Sequence, residues 1–276
     1  MKFSNERFEI IISEFGAELL SLRDIKRNIE YLWQRDSGWW EKTSPILFPY
    51  IGFNYNSEVK INGVVYSTSK HGFARERDFL CEVVNNKLIC VYESVDRDLE
   101  TFPYPFKLKV IYELIDNKLI VSYEVFNLSD ETMFFELGGH PAFNFKNGDK
   151  VILVGDDNKR RYVLDGPYVG EIYEDSVESF LLKDELFEND ALIYDGVKHV
   201  IIESDKRRIR VVLEDFEFVG IWSMYKDGKM APFVCVEPWA GLPDKIGYDG
   251  EIKDKLGIQS IDRNKSRVYR FEVILG

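Results

Sequence analysis

The chain has 276 residues, of which 45% are hydrophobic and 14% aromatic, and its formal net charge is −12. These apolar side chains suffice for a packed core, which excludes a disordered chain. The acidic balance argues against nucleic acid as a partner, because phosphate backbones bind to basic faces, and also against an anionic membrane surface. A small ligand that is neutral, cationic or held by a few local arginines stays compatible with this charge.

Three cysteines, Cys81, Cys90 and Cys235, form no CxxC pattern and leave one cysteine over after any pairing. This usage is typical of buried free thiols in a reducing compartment. The N-terminal apolar run is short and broken by glutamates, unlike a signal or transit peptide, and no apolar run reaches the length of a membrane span. We therefore predict a soluble, cytoplasmic protein.

Short β-rich runs joined by tight-turn dipeptides dominate the first half of the chain. Asparagine, aspartate and glycine tolerate the positive φ of a two-residue bend, so such dipeptides predict β-hairpins. The predicted bends are Asn62-Gly63, Asn85-Asn86 and Asp116-Asn117. One arm of the last hairpin alternates lysines with apolar residues, and this period of two predicts a half-buried antiparallel strand. The predicted buried positions of that arm are Phe106, Leu108, Val110 and Tyr112.

Similar runs, such as "KHVIIES", "RIRVVLED" and "RVYRFEVIL", continue to the C-terminus. Helical patterns are scarce: residues 176–190 carry capping-box spacing and predict a short helix, and "SGWWEKTSP" is compatible with one more turn. Strands without intervening helices predict an all-β fold, a large antiparallel β-sandwich with one or two short helices. Because no linker, repeat or charge block is present, we expect residues 1–276 to form a single domain.

Four glycine- and proline-rich segments depart from the strand pattern: residues 44–52, 70–79, 136–145 and 235–244. They hold His71, His140 and Glu237. Alone, each histidine is compatible with a turn residue bonded to backbone, and the glutamate with a strand-end carboxylate in water. Alone, Arg75 and Arg77 are compatible with surface ion pairs. Phe73 and Trp239 are compatible with core positions.

The coincidence of these residues favours a pocket for a sugar. Two of the three histidines and one carboxylate lie in stiff corners flanked by aromatic residues. Aromatic faces stack on the apolar side of a pyranose, while a few fixed polar groups bind its hydroxyls. A histidine, which titrates near neutrality, and a glutamate across such a ring could act as general acid and general base.

Four ordered motifs, "PILFPYIG", "HGFARERDF", "GGHPAFN" and "EPWAGLPD", span nearly the whole chain. In this order they resemble the aldose 1-epimerase (galactose mutarotase) family, and most closely its LacX-like branch. The fold that this resemblance implies is a large antiparallel β-sandwich, in agreement with the strand pattern. The activity that it implies is the interconversion of sugar anomers without a cofactor or a metal ion.

The resemblance also implies roles for individual residues. Glu237 of "EPW" would take the proton from the anomeric hydroxyl, His140 of "GGHP" would protonate the ring oxygen, and His71 of "HGF" would bind near that oxygen. Arg75 follows "HGFA" and is expected on the ligand side, together with the aromatic residues Phe73 and Trp239. The neighbours Gly138, Gly139 and Pro141 would fix the orientation of the His140 side chain. This matters because small errors of position strongly reduce the rate of proton transfer.

One position departs from the family's pattern. Relatives usually carry an arginine directly after the glycine of "FPxxG", and here that position is Phe53. A phenyl ring cannot replace the planar guanidinium fork. Either Asn54 or the arginines Arg75 and Arg77 take over sugar binding, or the substrate differs, or the activity is reduced. Asp244 is within reach of the fourth motif and is a candidate for binding a sugar hydroxyl.

Two other classes of function are compatible with parts of the sequence. A carbohydrate-binding protein without catalysis would explain Phe53 but not the presence of both histidines with Glu237. A glycoside hydrolase would pair Glu136 with Glu237 and would leave the histidines unexplained. A metal hydrolase, a serine esterase and a dehydrogenase have no motif here, and His199 is predicted to be a surface residue.

Overall fold

The computed structural model describes residues 1–276 and consists mostly of short strands. The first fourteen are β1 Lys2–Ser4, β2 Phe8–Ile12, β3 Leu19–Asp24, β4 Ile29–Glu30, β5 Ile46–Leu47, β6 Glu58–Ile61, β7 Val64–Ser67, β8 Leu80–Val84, β9 Lys87–Glu93, β10 Phe106–Ile115, β11 Lys118–Asn127, β12 Met133–Phe135, β13 Leu137–Gly139 and β14 Ala142–Phe143. The remaining strands are β15 Lys150–Gly155, β16 Lys159–Asp165, β17 Tyr168–Asp175, β18 Ser179–Leu181, β19 Leu192–Asp195, β20 Val197–Glu203, β21 Arg208–Val212, β22 Phe218–Trp222, β23 Tyr225–Lys226, β24 Lys229–Met230, β25 Val234–Ala240, β26 Gln259–Ile261 and β27 Ser266–Leu275.

Two large sheets carry the architecture. One has nine strands in the order β18-β15-β20-β21-β27-β11-β10-β9-β8, and the other has eight, in the order β17-β16-β19-β22-β25-β13-β5 with β14 also paired to β25. All strand pairs in both sheets are antiparallel. A core of 61 buried residues contains side chains from both sheets. The predicted all-β antiparallel sandwich is confirmed.

The predicted hairpins and their alternation are confirmed at residue level. In β10 the four apolar positions are buried, and the residues between them are half-buried. The bends use positive φ as expected, with 51° at Asn62, 48° at Asn85 and 53° at Asp116. These residues can adopt left-handed backbone at low cost, so the turns fix the strand register.

Helix is present only in short pieces. The single α-helix, α1, spans Asp96–Leu99 and was not predicted, and 3₁₀ turns lie at Tyr55–Ser57, Ala74–Glu76, Asp184–Phe187 and Ile252–Asp254. The predicted helix at residues 176–190 is wrong: this segment forms β18 and one 3₁₀ turn, because it has too few apolar residues to cover a longer helix. The segment "SGWWEKTSP" bends in a hydrogen-bonded turn. None of these helices is long and apolar enough to cross a membrane.

The cysteines do not follow the prediction of three free thiols. Cys81 of β8 and Cys90 of β9 stand opposite each other in the ladder and form a disulfide, whereas Cys235 is free and buried. The two cysteines form no CxxC motif, but the two-residue turn at Asn85-Asn86 pairs Cys81 with Cys90 directly across the hairpin, within bonding range. The argument for a reducing compartment therefore loses its basis.

A buried charge network connects the eight-stranded sheet to the C-terminal segment. The ammonium group of Lys255 donates to Glu136 and Asn54 and forms an ion pair with Asp244, each at 2.9 Å. Glu136 also accepts backbone N–H groups from Ile51 and from residue 242. Burial raises the pKa of Glu136, and the neighbouring Lys255 opposes that rise. The lysine therefore compensates two carboxylates that have no access to bulk water.

We predict that Lys255→Met lowers the free energy of unfolding by about 3–5 kcal/mol, because it leaves two buried acids without their counter-charge. Urea denaturation followed by fluorescence would measure this change. Lys253→Met is the matched control, since Lys253 lies on the 3₁₀ turn directly before Lys255 but is exposed, and its effect should stay within about 0.5 kcal/mol. Equal effects of the two substitutions would contradict the assigned role of the network.

Candidate active site

The candidate site lies on the face of the eight-stranded sheet that points away from the main core. All seven residues of β25 are buried, but the strand has two different faces. Val234 and Val236 belong to the core between the sheets, while Cys235 and Trp239 belong to two smaller clusters on the opposite face. Glu237 lies between these two on the same face, because side chains alternate along a strand. A central strand thus presents its carboxylate at the floor of a pocket.

The pocket has a volume of about 190 Å³. Its walls combine tryptophans, the two histidines of the sequence motifs and several charged groups. Sixteen residues line it: Trp40, Gly52, Phe53, Lys70, His71, Arg75, His140, Leu164, Pro167, Asp190, Ala191, Trp222, Met224, Glu237, Trp239 and Pro243. Residues from all four of the glycine- and proline-rich segments therefore meet in one cavity.

Strand register explains why His140 meets Glu237. The strands β13 and β14 both pair with β25, with Gly138 opposite Trp239 and Ala142 opposite Cys235. The same antiparallel register continued between these pairs places His140 opposite Glu237. Cross-strand neighbours on one face lie close together, and Nε2 of His140 is 3.2 Å from Oε2 of Glu237.

Close packing requires glycine at three places around this pair. A Cβ on Gly138 would lie 2.8 Å from Cδ1 of Trp239, and one on Gly139 would lie 2.9 Å from the hydroxyl of Tyr123. Gly220 of β22 pairs with Glu237, and a Cβ there would lie 2.9 Å from the Trp239 ring. None of the three has positive φ, so they are needed for close approach rather than for an unusual backbone.

His71 reaches the pocket from a strained loop. Its φ is 64°, and the following Gly72 has a φ of 68°. Nδ1 of His71 accepts the backbone N–H of Gly52 at 3.0 Å, so a neutral ring carries its proton on Nε2. The rings of His71 and His140 are 5.7 Å apart and nearly perpendicular. His71 is thereby held as a hydrogen-bond donor beside His140.

Burial sets the protonation of all three groups. It lowers the pKa of His140 to about 3 and that of His71 well below its usual value, and it raises the pKa of Glu237 well above its usual value. The uncharged forms are favoured because desolvation penalises isolated charges. At 3.2 Å, Glu237 and His140 titrate as a pair. Burial therefore favours a protonated carboxyl group beside a neutral imidazole.

Several buried polar atoms at the pocket have no hydrogen-bond partner within the protein. They are Oε2 of Glu237, Nδ1 of His140, Nε1 of Trp239 and Nε of Arg75. The His140–Glu237 contact has a suitable distance but lacks hydrogen-bond geometry, and the Trp239 N–H, which lowers the pKa of Glu237 slightly, is likewise poorly aligned. Unsatisfied buried groups are costly and are concentrated at functional sites. These atoms are suited to binding the hydroxyls of a polar ligand.

Not all of the residues predicted to bind sugar lie at the pocket. Arg75 and Trp239 line it. Asn54 and Asp244 instead belong to the Lys255 network, and Phe73 packs in the main core. The two polar side chains are occupied by the buried lysine, a partner that sequence spacing could not reveal. Their predicted contact with sugar is corrected to a structural role.

The structure adds residues that the sequence reasoning missed. Trp40 packs against His140 with ring centroids 4.9 Å apart, and Trp222 meets the same ring edge-on at 5.4 Å. Lys70 and Asp190 supply charges at the wall. The double tryptophan in "SGWW" and the lysine directly before "HGF" were visible signals. Glu136, the second carboxylate of the hydrolase alternative, lies in the Lys255 network and not at the pocket.

A metal ion has one candidate set of ligands. Donor atoms of His140, Cys235 and Glu237 lie within 4.8 Å of one another. Metal binding requires the thiolate, but burial raises the pKa of Cys235 well above its usual value, and the nearby Glu237 raises it further. The environment of this cluster thus disfavours the form that binds metal.

We predict that neither His71 nor His140 takes up a proton between pH 5 and pH 8, because burial keeps both rings neutral. The chain has three histidines, so ¹H–¹⁵N NMR can follow each ring, with His→Asn variants for assignment. His71 should show a protonated Nε2 and an unprotonated Nδ1 throughout. His199, which is less buried, serves as an internal control that titrates. A midpoint near pH 6.5 for either pocket histidine would contradict this description.

Comparison with known proteins agrees with this geometry. Residues 1–253 match the family model described as aldose 1-epimerase. The chromosomal protein LacX of Lactococcus lactis subsp. lactis is 28% identical over 282 residues, which cover 92% of each chain. A galactose mutarotase related enzyme from Lactobacillus acidophilus superposes with a TM-score of 0.95 at 29% identity, covering 100% of this chain and 97% of the other. A galactose mutarotase-like protein from Lactobacillus casei ATCC 334 gives 0.94 at 28% identity, covering 100% and 99%.

The family match covers residues 1–253, which include the four motifs that line the pocket and all the strands except β26 and β27. The chain belongs to the aldose 1-epimerase family.

Proposed function

We propose that the protein is a mutarotase, which interconverts the α and β anomers of an aldose by opening and closing the sugar ring. The observation that carries this proposal is the buried Glu237–His140 pair, 3.2 Å apart in a pocket with tryptophan walls. Membership of the aldose 1-epimerase family supports the same class of reaction. No cofactor is required for the proton transfers.

The pocket offers two kinds of contact to a pyranose. Trp40, Trp222 and Trp239 present aromatic surface for the apolar C–H face of the ring. The unpartnered N–H of Trp239 and the Nε2–H of His71 are donors for ring oxygens and hydroxyls. An open pocket of this mixed lining is typical of small-molecule sites.

In the reactive state Glu237 is a carboxylate and His140 an imidazolium. Glu237 accepts the proton of the C1 hydroxyl while His140 donates its proton to the ring oxygen, and the bond between C1 and that oxygen breaks. Rotation about C1–C2 exposes the other face of the aldehyde, and the reverse transfers close the ring. Each transfer is undone on closure, so the protein returns unchanged.

Burial favours the uncharged pair that exists after ring opening. The carboxylate form therefore needs hydrogen bonds from the bound sugar and from Trp239. His71, neutral and fixed by Gly52, can donate to the ring oxygen as negative charge develops on it. The three groups divide the work of acid, base and charge stabilisation.

A second candidate is sugar binding without catalysis. Phe53 lines the pocket where relatives usually carry an arginine, and this loss favours the candidate. Such a protein would bind aldoses and leave the rate of anomer exchange unchanged. The close contact of Glu237 with His140 is not needed for binding alone, so catalysis is the better explanation of the geometry.

We predict that Glu237→Gln and His140→Asn each reduce mutarotation by about 10²–10⁴-fold, the usual contribution of one proton-transfer group. Polarimetry of freshly dissolved galactose and glucose, and NMR saturation exchange on a panel of aldoses, would measure the rates. Asp205→Asn is the control, because Asp205 is exposed and does not line the pocket. If the wild-type protein matched buffer on every aldose, the catalytic proposal would be wrong.

We also predict that Gly138→Ala reduces kcat/KM by about tenfold or more, because the new methyl group displaces Trp239 and small displacements of reacting groups are costly. The expected accompanying change is a shift in tryptophan fluorescence. Gly170→Ala, whose nearest contact is the Asp165 side chain at 3.2 Å, tests whether added methyl groups harm activity in general. Unchanged kinetics in Gly138→Ala would show that Trp239 can move freely.

A further inference from the structure

Two cationic side chains stand at the pocket without close acidic partners. Lys70 and Arg75 both line the wall beside His71. Lys70 forms no ion pair, and its Nζ lies 5.4 Å from the centre of the Phe53 ring. The carboxylate nearest to Arg75, that of the exposed Glu76, is 3.9 Å from Nε, and this Nε has no hydrogen-bond partner.

The charge at this wall differs from that of the chain as a whole. Acidic residues outnumber basic ones, 48 to 36, and the buried Lys255 contacts two carboxylates. Of the acids at the pocket, Glu237 is paired with His140, which leaves Asp190 as the other wall acid. The wall near His71 therefore has a local excess of positive charge within a strongly acidic protein.

Both cations are held in place. Nη2 of Arg75 donates to the backbone carbonyl of Lys70 at 2.7 Å, and the neighbouring His71 N–H donates to the carbonyl of Gly52 at 2.8 Å. The aromatic face of Phe53 attracts the ammonium group of Lys70. Phe53, where relatives carry an arginine, thus supports a different cation at the same wall.

The chemistry of a pyranose indicates what would reach these cations. The ring oxygen is bonded to C5, which carries C6. With the ring oxygen beside His140 and His71, as proposed above, a substituent at C6 lies on the side of His71 and its sequence neighbours. The anomeric hydroxyl must stay free for the reaction, so the charged group cannot be at C1.

We infer that Lys70 and Arg75 bind an anionic substituent, and that the substrate is an aldose with a phosphate ester or a carboxylate at C6. Ammonium and guanidinium groups both form strong charge-assisted hydrogen bonds to such oxygens. The inference rests on the proposed function for the orientation of the sugar. It adds the class of substrate to that proposal.

Binding of an anion here would also act on the catalytic pair. After burial, the positive charges of Lys70 and Arg75 are further causes of the low pKa of His140. A phosphate or carboxylate between these cations would offset their charge and raise that pKa. The imidazolium form that donates the proton would then become more accessible in the complex with an anionic sugar.

The test compares matched sugars that differ only in the charged group. Mutarotation of glucose 6-phosphate and galactose 6-phosphate, and of glucuronate and galacturonate, is measured against glucose and galactose by NMR saturation exchange. We expect kcat/KM to be about 10- to 100-fold higher for at least one anionic class, the range for hydrogen bonds to charged groups. The two anionic classes distinguish a phosphate from a carboxylate.

Variants of Lys70 give the specific readout, which is the ratio of kcat/KM for the anionic sugar to that for its neutral counterpart. Lys70→Gln should reduce this ratio about tenfold or more, and Lys70→Arg should restore most of it. Lys26→Gln, at an exposed turn residue, should leave the ratio unchanged. A wild-type ratio near one, or a ratio that Lys70→Gln does not alter, would overturn the inference.

A binding measurement separates this inference from the proposed function. Three pocket tryptophans allow titration of each sugar by fluorescence quenching. Tighter binding of the anionic sugars, lost in Lys70→Gln, without any mutarotation would support the inference and refute the mutarotase. Mutarotation with no preference for anionic sugars in rate or binding would refute the inference and leave the mutarotase standing.

Discussion

The cost of burying a carboxylate governs this structure, and two of its buried glutamates, Glu136 and Glu237, meet that cost differently. Glu136 is ionically paired with Lys255 and accepts two backbone N–H groups, so its charge is compensated permanently. Glu237 forms its one ion-pair contact with His140, and one of its carboxylate oxygens has no hydrogen bond. The first glutamate holds the fold together. The second can exchange a proton, because its charge is stabilised only in part.

The alternation of side chains along β25 gives Glu237 its position. β25 gives valines to the core between the sheets and gives Glu237 and Trp239 to the opposite face. The carboxylate is therefore fixed by a central strand, with His140 opposite it in the register of the next strands. Rigid elements position reacting groups more accurately than loops do. The loops contribute His71, Trp40 and Lys70 at the rim.

The sequence predicted the parts of the molecule that depend on local patterns. The period of two in β10 and the positive-φ residues of the hairpins determine the sandwich, and the four stiff corners were visible as motifs. It failed where partners come from distant segments. Nothing near Asp244 indicates that Lys255 occupies it. The Cys81–Cys90 disulfide was missed for another reason: the predicted Asn85-Asn86 bend already places the two residues opposite each other, and this register was not applied to the cysteines. Trp40 reaches His140 through tertiary packing alone.

Gly220 has a consequence for how this pocket can diversify. It lies directly beside Glu237, and any Cβ there would collide with the indole of Trp239. The floor of the pocket consequently has no room for variation by side-chain growth. New ligand preferences must arise at the rim, through residues such as Phe53 and Lys70 that project from loops. A scaffold of this kind can keep one chemistry while it exchanges the molecules on which that chemistry acts.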